Sequence, residues 1–289
     1  MTTPSLLSKR AMLVSLSIPA WKARKLDKTV TGNVASQYNV SDEVGRYTKA
    51  LVSVDAMKPI TQAISAARKY HYDNTLPWGN DHSRLLPAMN FMDYSKEMRR
   101  LKTDFESAVN TFVNKYGSYM IEAQTRLNGM YDQGDYPDAN EIADLFDFVF
   151  EIKPVPDAAD FRVALGDADV EAIRADIEAK ATEGQHKAMA DLWKRLYESV
   201  NAMFERLSVK DQKFNDSLVG NMADLCALLP KLNIMDDPQL EAMRQDVETR
   251  LCGYLPQNLR KDMAQRTQAA NDAADILRNM QAHMGGATV

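Results

Sequence analysis

The sequence predicts a mainly helical α+β protein, and three observations carry that prediction. Glycine and proline are sparse, 12 and 11 among 289 residues, beside 16 methionines. Two stretches repeat apolar residues at three- and four-residue spacing over about ten turns each, with no internal proline. A few short β-branched runs, bounded by prolines, read as strands. The architecture these imply is a long antiparallel helical hairpin of coiled-coil type, a small three-stranded sheet at one end, and a C-terminal helical bundle. In sequence order this gives residues 1–92 (strand, helices and a Trp/His loop), 93–210 (the long hairpin with an inserted β-hairpin) and 211–289 (C-terminal helices), together one cooperative unit.

The first strand is expected at 12–18, where Val14 and Ile18 are β-branched and Pro19 ends the run. A basic helix follows at about 20–37, and Asp55 caps another to about residue 70. The segment 70–87 obeys neither period and reads as an irregular loop. Asp93 starts the first long helix, whose stripe is Met98, Leu101, Phe105, Ala108 and Phe112, continued by Tyr116 and Tyr119. Pro137 and Asp138 open a short helix. Residues 148–152 and 161–165 read as strands, with the 12–18 strand as their third member. The second long helix spans about 166–207 on Met189, Leu192, Leu196, Val200, Met203 and Leu207. Its centre is weak, with Ala181, Gly184 and Ala188. Three helices close the chain, beginning near Asp211, Pro238 and Pro256, the first of them ending at Pro230.

The net charge of −5 excludes a uniformly basic nucleic-acid binder, but charge is segregated. Residues 9–28 hold six bases against one acid, and residues 132–178 hold fourteen acids against three bases. A basic patch for a polyanion would express this outwardly; mutual neutralisation within the chain would express it inwardly, and the second is the expectation. Cys226 and Cys252 lie on separate predicted helices without a CxxC spacing and read as reduced core thiols, joinable only if those helices juxtapose them. No run approaches 18 uncharged apolar residues and no leader pattern is evident, so the expected location is cytoplasmic, with no membrane.

The chain lacks GxxxxGK[ST], GxGxxG, HExxH and GxSxG. No catalytic residue, cofactor or metal is assigned. Chemically versatile groups crowd only into 70–87. There, His71, Trp78, Asp81, His82 and Arg84 form a candidate recognition loop, with Leu76, Trp78 and Leu85 expected to be buried and His71, Asp81, His82 and Arg84 exposed. His71, Asp73, Asp81 and His82 also supply imidazole and carboxylate suited to a metal, but at no established ligand spacing. A weaker nucleic-acid signal is Trp21 with Lys22, Arg24 and Lys25.

Several stretches carry a resemblance: WKARKLDK at 21–28, ARKYHYDNTLPWG at 67–79, RLLP at 84–87, PDAADFRV at 156–163, DLWKRLY at 191–197 and FNDSL at 214–218. Together they make the chain, from about residue 8 to 280, resemble an uncharacterised family of helical proteins from phages and integrative elements, known as a domain of unknown function. The resemblance implies gene neighbours comprising a MoxR-type AAA+ ATPase and a von Willebrand factor A protein, and a bacterial host cell. It implies an accessory role in ATPase-driven remodelling or in phage DNA metabolism. The expected function is a non-enzymatic adaptor or scaffold docking a protein partner, or itself, through helix faces. The alternatives are a DNA-binding accessory protein using Lys22, Arg24, Lys25 and Arg84, and a metalloprotein centred on His71 and His82.

Overall fold

The computed structural model describes residues 6–41, 43–79, 82–158, 167–209 and 212–284. In chain order these form α1 (Leu6–Arg10), β1 (Ala11–Ser17), β2 (Arg24–Leu26), α2 (Lys28–Tyr38), β3 (Thr48–Ala50), α3 (Val54–Asp73), β4 (Leu76–Pro77) and β5 (Arg84–Pro87). They continue with α4 (Phe91–Leu127), β6 (Val149–Pro154), α5 (Asp167–Ser208), α6 (Ser217–Leu232), α7 (Pro238–Leu251), α8 (Pro256–Lys261) and α9 (Met263–Met284). The mainly helical α+β class holds. Where the sequence reads as three consecutive blocks, the structure groups the chain into two compact units, neither of them continuous. Unit 1 is Met1–Ser15, Asp73–Met92 and Ile152–Val289; unit 2 is Leu16–Tyr72 and Asp93–Glu151.

Unit 1 is built on α5. The seam residues Leu192, Leu196, Val200 and Met203 are fully buried, in one cluster with Ala269, Ala273, Ile276 and Met280 of α9 and Met222, Leu229 and Leu232 of α6. Each such aliphatic side chain contributes about 1.5–3 kcal/mol on burial. Helix α5 packs along α9 and α6. The α5 C-terminus is closed from outside the helix: the buried Arg266 guanidinium donates to the carbonyls of Arg206, Leu207, Val209 and Gln212. Arg206 and Leu207 belong to the last turn of α5, whose carbonyls lack an intrahelical donor, and Val209 and Gln212 follow it.

Helix α6 continues past Pro230, where the sequence predicted a stop. Proline's missing N–H leaves the carbonyl four residues back, that of Cys226, without its helical donor. Arg244 of α7 reaches it through Nη1 at 3.5 Å. Asp237 caps α7 as expected, accepting from the Gln239 and Leu240 amides. The last expected helix is two, α8 and α9, because Asp262 caps a fresh start by accepting from the Ala264 and Gln265 amides.

The sheet is antiparallel where its register is defined, and its strand order is β4-β5-β1-β6. β1 pairs with β5, Leu13 opposite Leu85, and β5 pairs with β4, Leu85 opposite Leu76. The expected three-stranded sheet is therefore four-stranded. β1 and β6 belong to it as predicted; the expected strand at 161–165 lies outside the described residues.

In unit 2 the buried face of α4 is aromatic. Phe105 meets Phe148, and Phe112 meets Trp21 and Phe146, with ring centroids 5.7–6.1 Å apart. The expected helix at 20–37 begins later, at Lys28. Ala23 takes a positive φ of 52°, which breaks helical continuation. Asp27 then accepts from the Val30 amide and caps α2. The short helix predicted after Pro137 is a 3-10 turn over Ile142–Leu145. It drops Phe146 and Phe148 into the α4 aromatics.

Candidate functional site: a cationic groove in unit 2

The described residues of the 70–87 segment form a helix end and two paired strands. Tyr70 to Asp73 complete α3. His71 is buried, not exposed as expected, and its Nδ1 lies 2.7 Å from the Tyr94 hydroxyl. Tyr70 stacks on Tyr94, with centroids 6.1 Å apart. Burial, and then the charges of Glu97 and Asp93, push the Tyr70 hydroxyl up to about 12. These aromatics anchor the start of α4.

The hairpin that follows belongs to unit 1. Leu76 and Leu85 are fully buried, as expected. Arg84 is half-buried and turned inward, donating to the Thr75 hydroxyl at 2.7 Å and the Thr75 carbonyl at 2.9 Å. Arg195 of α5 donates to the carbonyls of Asp73 and Thr75, each at 2.8 Å, while pairing with Asp191. Asn90 donates to the Asn74 side-chain oxygen at 3.0 Å. Trp78, half-buried, lies flat against α5 at Gly184, where a Cβ would fall 2.2 Å from its ring. The weak centre of α5 is thus the seat of the tryptophan.

Among the predicted loop residues that are described, His82 alone is exposed, at a turn with φ of 64°. Asp81 lies outside the described residues. His71 and His82 fall in different units. Among the described residues no three His, Cys, Asp or Glu side chains gather as a metal site requires.

The second predicted cluster does shape a site. Residues 18–24, 50–54 and one face of α3 enclose a groove of about 800 Å³. Trp21, Lys22 and Arg24 line one wall. The other is α3, presenting Met57, Thr61, Ile64, Ser65 and Arg68, positions that helical periodicity places on one face. Ile18, Ala23 and Val52 are its buried apolar residues, and Ser53 joins Thr61 and Ser65 as a hydroxyl. No carboxylate lines it.

Lys22, Arg24 and Arg68 are exposed, and among the described residues none of them has an ion-pair partner. Trp21 is held edge-on to Tyr116, 6.0 Å between centroids, and its remaining surface faces the groove. Lys25, the fourth residue of the predicted cluster, does not line it; its ammonium pairs with Asp135 at 3.0 Å. Arg68, Thr61 and Ser65 were missed from sequence because α3 reads as an ordinary amphipathic helix. The available signal was the mixed polar and apolar stripe at 57, 61, 64, 65 and 68.

Behind β2 lies a buried ion cluster. Lys49 Nζ pairs with Asp135 at 2.6 Å and donates to the Met130 carbonyl at 2.7 Å, with the Asp27 carboxylate a longer ion-pair contact at 3.6 Å. The hydrogen bond with Asp135 raises Lys49, against the lowering effect of burial. The hydrogen bond from Lys49 holds Asp135 below the usual carboxylate range. Lys25–Asp135 is the one ion pair, among the described residues, that joins the basic 9–28 segment to the acidic 132–178 stretch.

The Thr61 and Ser65 hydroxyls donate to the Lys58 and Thr61 carbonyls; the exposed cations and one aromatic face, with no acid, nucleophile–base pair or thiol among the lining residues, are equipped to bind an anion. Compared with known proteins, the chain matches no family model, no curated protein and no solved structure.

Proposed function

We propose that the protein is a non-enzymatic accessory protein that binds a single nucleic-acid strand in the unit 2 groove. The observation that supports this is the convergence of Lys22, Arg24 and Arg68, without acidic neighbours in the lining, in a chain whose net charge is −5. Cations kept unpaired in an acidic protein attract a phosphate backbone. Trp21 and the apolar floor offer a base somewhere to stack, which discriminates little between bases. Such a grip fits the accessory role in mobile-element DNA metabolism that the resemblance implies.

The test is fluorescence anisotropy with labelled oligothymidine across salt concentrations. Three phosphate contacts predict a slope of about −2 in log K against log salt for a single strand. The variant Lys22→Ala/Arg24→Ala/Arg68→Ala should lose both affinity and slope. Absence of binding at low salt, or equal binding by that variant, overturns the reading.

A second reading, the adaptor, is favoured by one separate observation. Val34, Tyr38, Val40, Val44 and Tyr47 stand 43–71% exposed around an apolar hollow of about 360 Å³ at the end of α2, with Arg46 the one charge among the described residues that line it. In this reading the surface docks an apolar segment carrying a carboxylate for Arg46, from a protein partner such as the AAA+ ATPase or the von Willebrand factor A protein. The α4 and α5 seams, buried within their own units, do not provide the helix faces first expected. Co-purification that survives Tyr38→Ala/Val44→Asp would remove this reading.

A further inference from the structure

We infer that Cys226 and Cys252 are a site of reversible disulfide formation that staples α6 to the end of α7. They are the chain's two cysteines, so no other intramolecular pairing competes. Both are free thiols, and their sulfurs lie 3.9 Å apart. Contact is therefore already made, and closing to the bonded distance of about 2.05 Å needs a sulfur displacement of about 2 Å.

The two positions divide the labour of exchange. Cys226 is wholly buried in the core of unit 1, and its backbone is fixed by the Arg244 hydrogen bond to its carbonyl. Arg244 is itself fixed by Glu241 and Glu248. Cys252 follows the last residue of α7, is half-buried, and is succeeded by Gly253, around which there is open space. The movement belongs to Cys252, at a helix end where the backbone is free to adjust. The thiol–thiol hydrogen bond lowers Cys252 from its usual value and raises Cys226, consistent with Cys252 as the attacking sulfur.

With a low-molecular-weight disulfide as oxidant the step balances. The Cys252 thiolate attacks one sulfur of the small disulfide, whose S–S bond breaks and releases one small thiolate. Cys226 gives its proton to that thiolate and attacks Cys252 in the mixed disulfide, expelling the second small thiolate, which takes up a proton from water. Two protein thiols are oxidised and one small disulfide is reduced to two thiols. The bond closes a loop across the α6–α7 connection, which restricts the unfolded chain and raises the melting temperature by about 5–10 °C.

The experiment incubates the full-length protein with oxidised glutathione, then alkylates and measures intact mass and thermal unfolding. The expected product has lost two hydrogens, takes up no alkylating agent, melts higher and returns to the reduced form with dithiothreitol. Cys226→Ala, which keeps an apolar group in the core, should instead trap one glutathione on Cys252. Two glutathiones on the wild-type chain, disulfide-linked dimers, or two thiols still alkylated after oxidation would each overturn the proposal. So would an unmodified Cys252 in a folded Cys226→Ala protein.

Discussion

The two faces of the β2–β3 ribbon carry the same kind of residue to opposite ends. Lys25 and Lys49 are cross-strand partners, and both converge on Asp135. Arg24, one residue before Lys25, points with Ala50 to the groove and keeps its charge unpaired among the described residues. Strand alternation sorts one basic run into a structural face and a binding face. Burial decides the role: a lysine whose side chain is 8% exposed needs its partners to exist inside, while exposed Lys22, Arg24 and Arg68 cost little to leave unpaired.

The largest effect should come from removing Asp135. Asp135→Ala leaves Lys49 buried without its main partner and should cost about 3–5 kcal/mol in urea unfolding. Its pH dependence has a definite sign. Asp135 is held low by the Lys49 hydrogen bond, so its stabilisation is present above the ordinary carboxylate range and lost as pH falls through the lowered value. Lys49 is held high, so its share is present below about pH 10 and lost only as pH rises through the raised value. Asp135→Asn should flatten the acid limb of a stability–pH curve; an unchanged limb would mean the cluster is not what couples folding to protons.

Next in size is a contact within unit 1. Gly184→Ala should destabilise by about 1–3 kcal/mol, because the new methyl meets the Trp78 ring, and should shift tryptophan fluorescence. The groove substitutions come next. Arg68→Ala should weaken oligothymidine binding about 3–10-fold while stability stays within about 0.5 kcal/mol. A large stability loss there would make the groove cations structural, like their neighbours. Smallest is Lys25→Ala: its side chain is half-exposed, and Asp135 keeps Lys49, so less than about 1 kcal/mol should be lost.

Where periodicity was long, the sequence was legible. The α4 and α5 stripes located both helices to within two or three residues, and Asp237 marked α7 correctly. Short elements set by single backbone events were not. Nothing local announces the positive φ of Ala23 that replaces a helix with β2. β4 and β5 form because Arg84 and Arg195 hold the carbonyls of Asp73 and Thr75 from a distance, so 70–87 looked irregular. The partners of α4 and α5 were illegible for a similar reason: a seam declares that it needs a neighbour, not which one. For the site, Trp21, Lys22 and Arg24 were visible as a cluster, whereas Arg68 required knowing which face of α3 the 18–24 segment meets.

The interleaved make-up of the two units has a consequence for the chain as it is synthesised. All of unit 2 lies between Leu16 and Glu151, so it can condense while the remainder is still being translated. Unit 1 has no such freedom. Its first strand, β1, emerges at the start, but α5, α6 and α9, which form most of its core, emerge last. For that interval part of β1, with Leu13 and Val14, waits without its core, which makes this strand the place where a nascent chain is most exposed to mispairing.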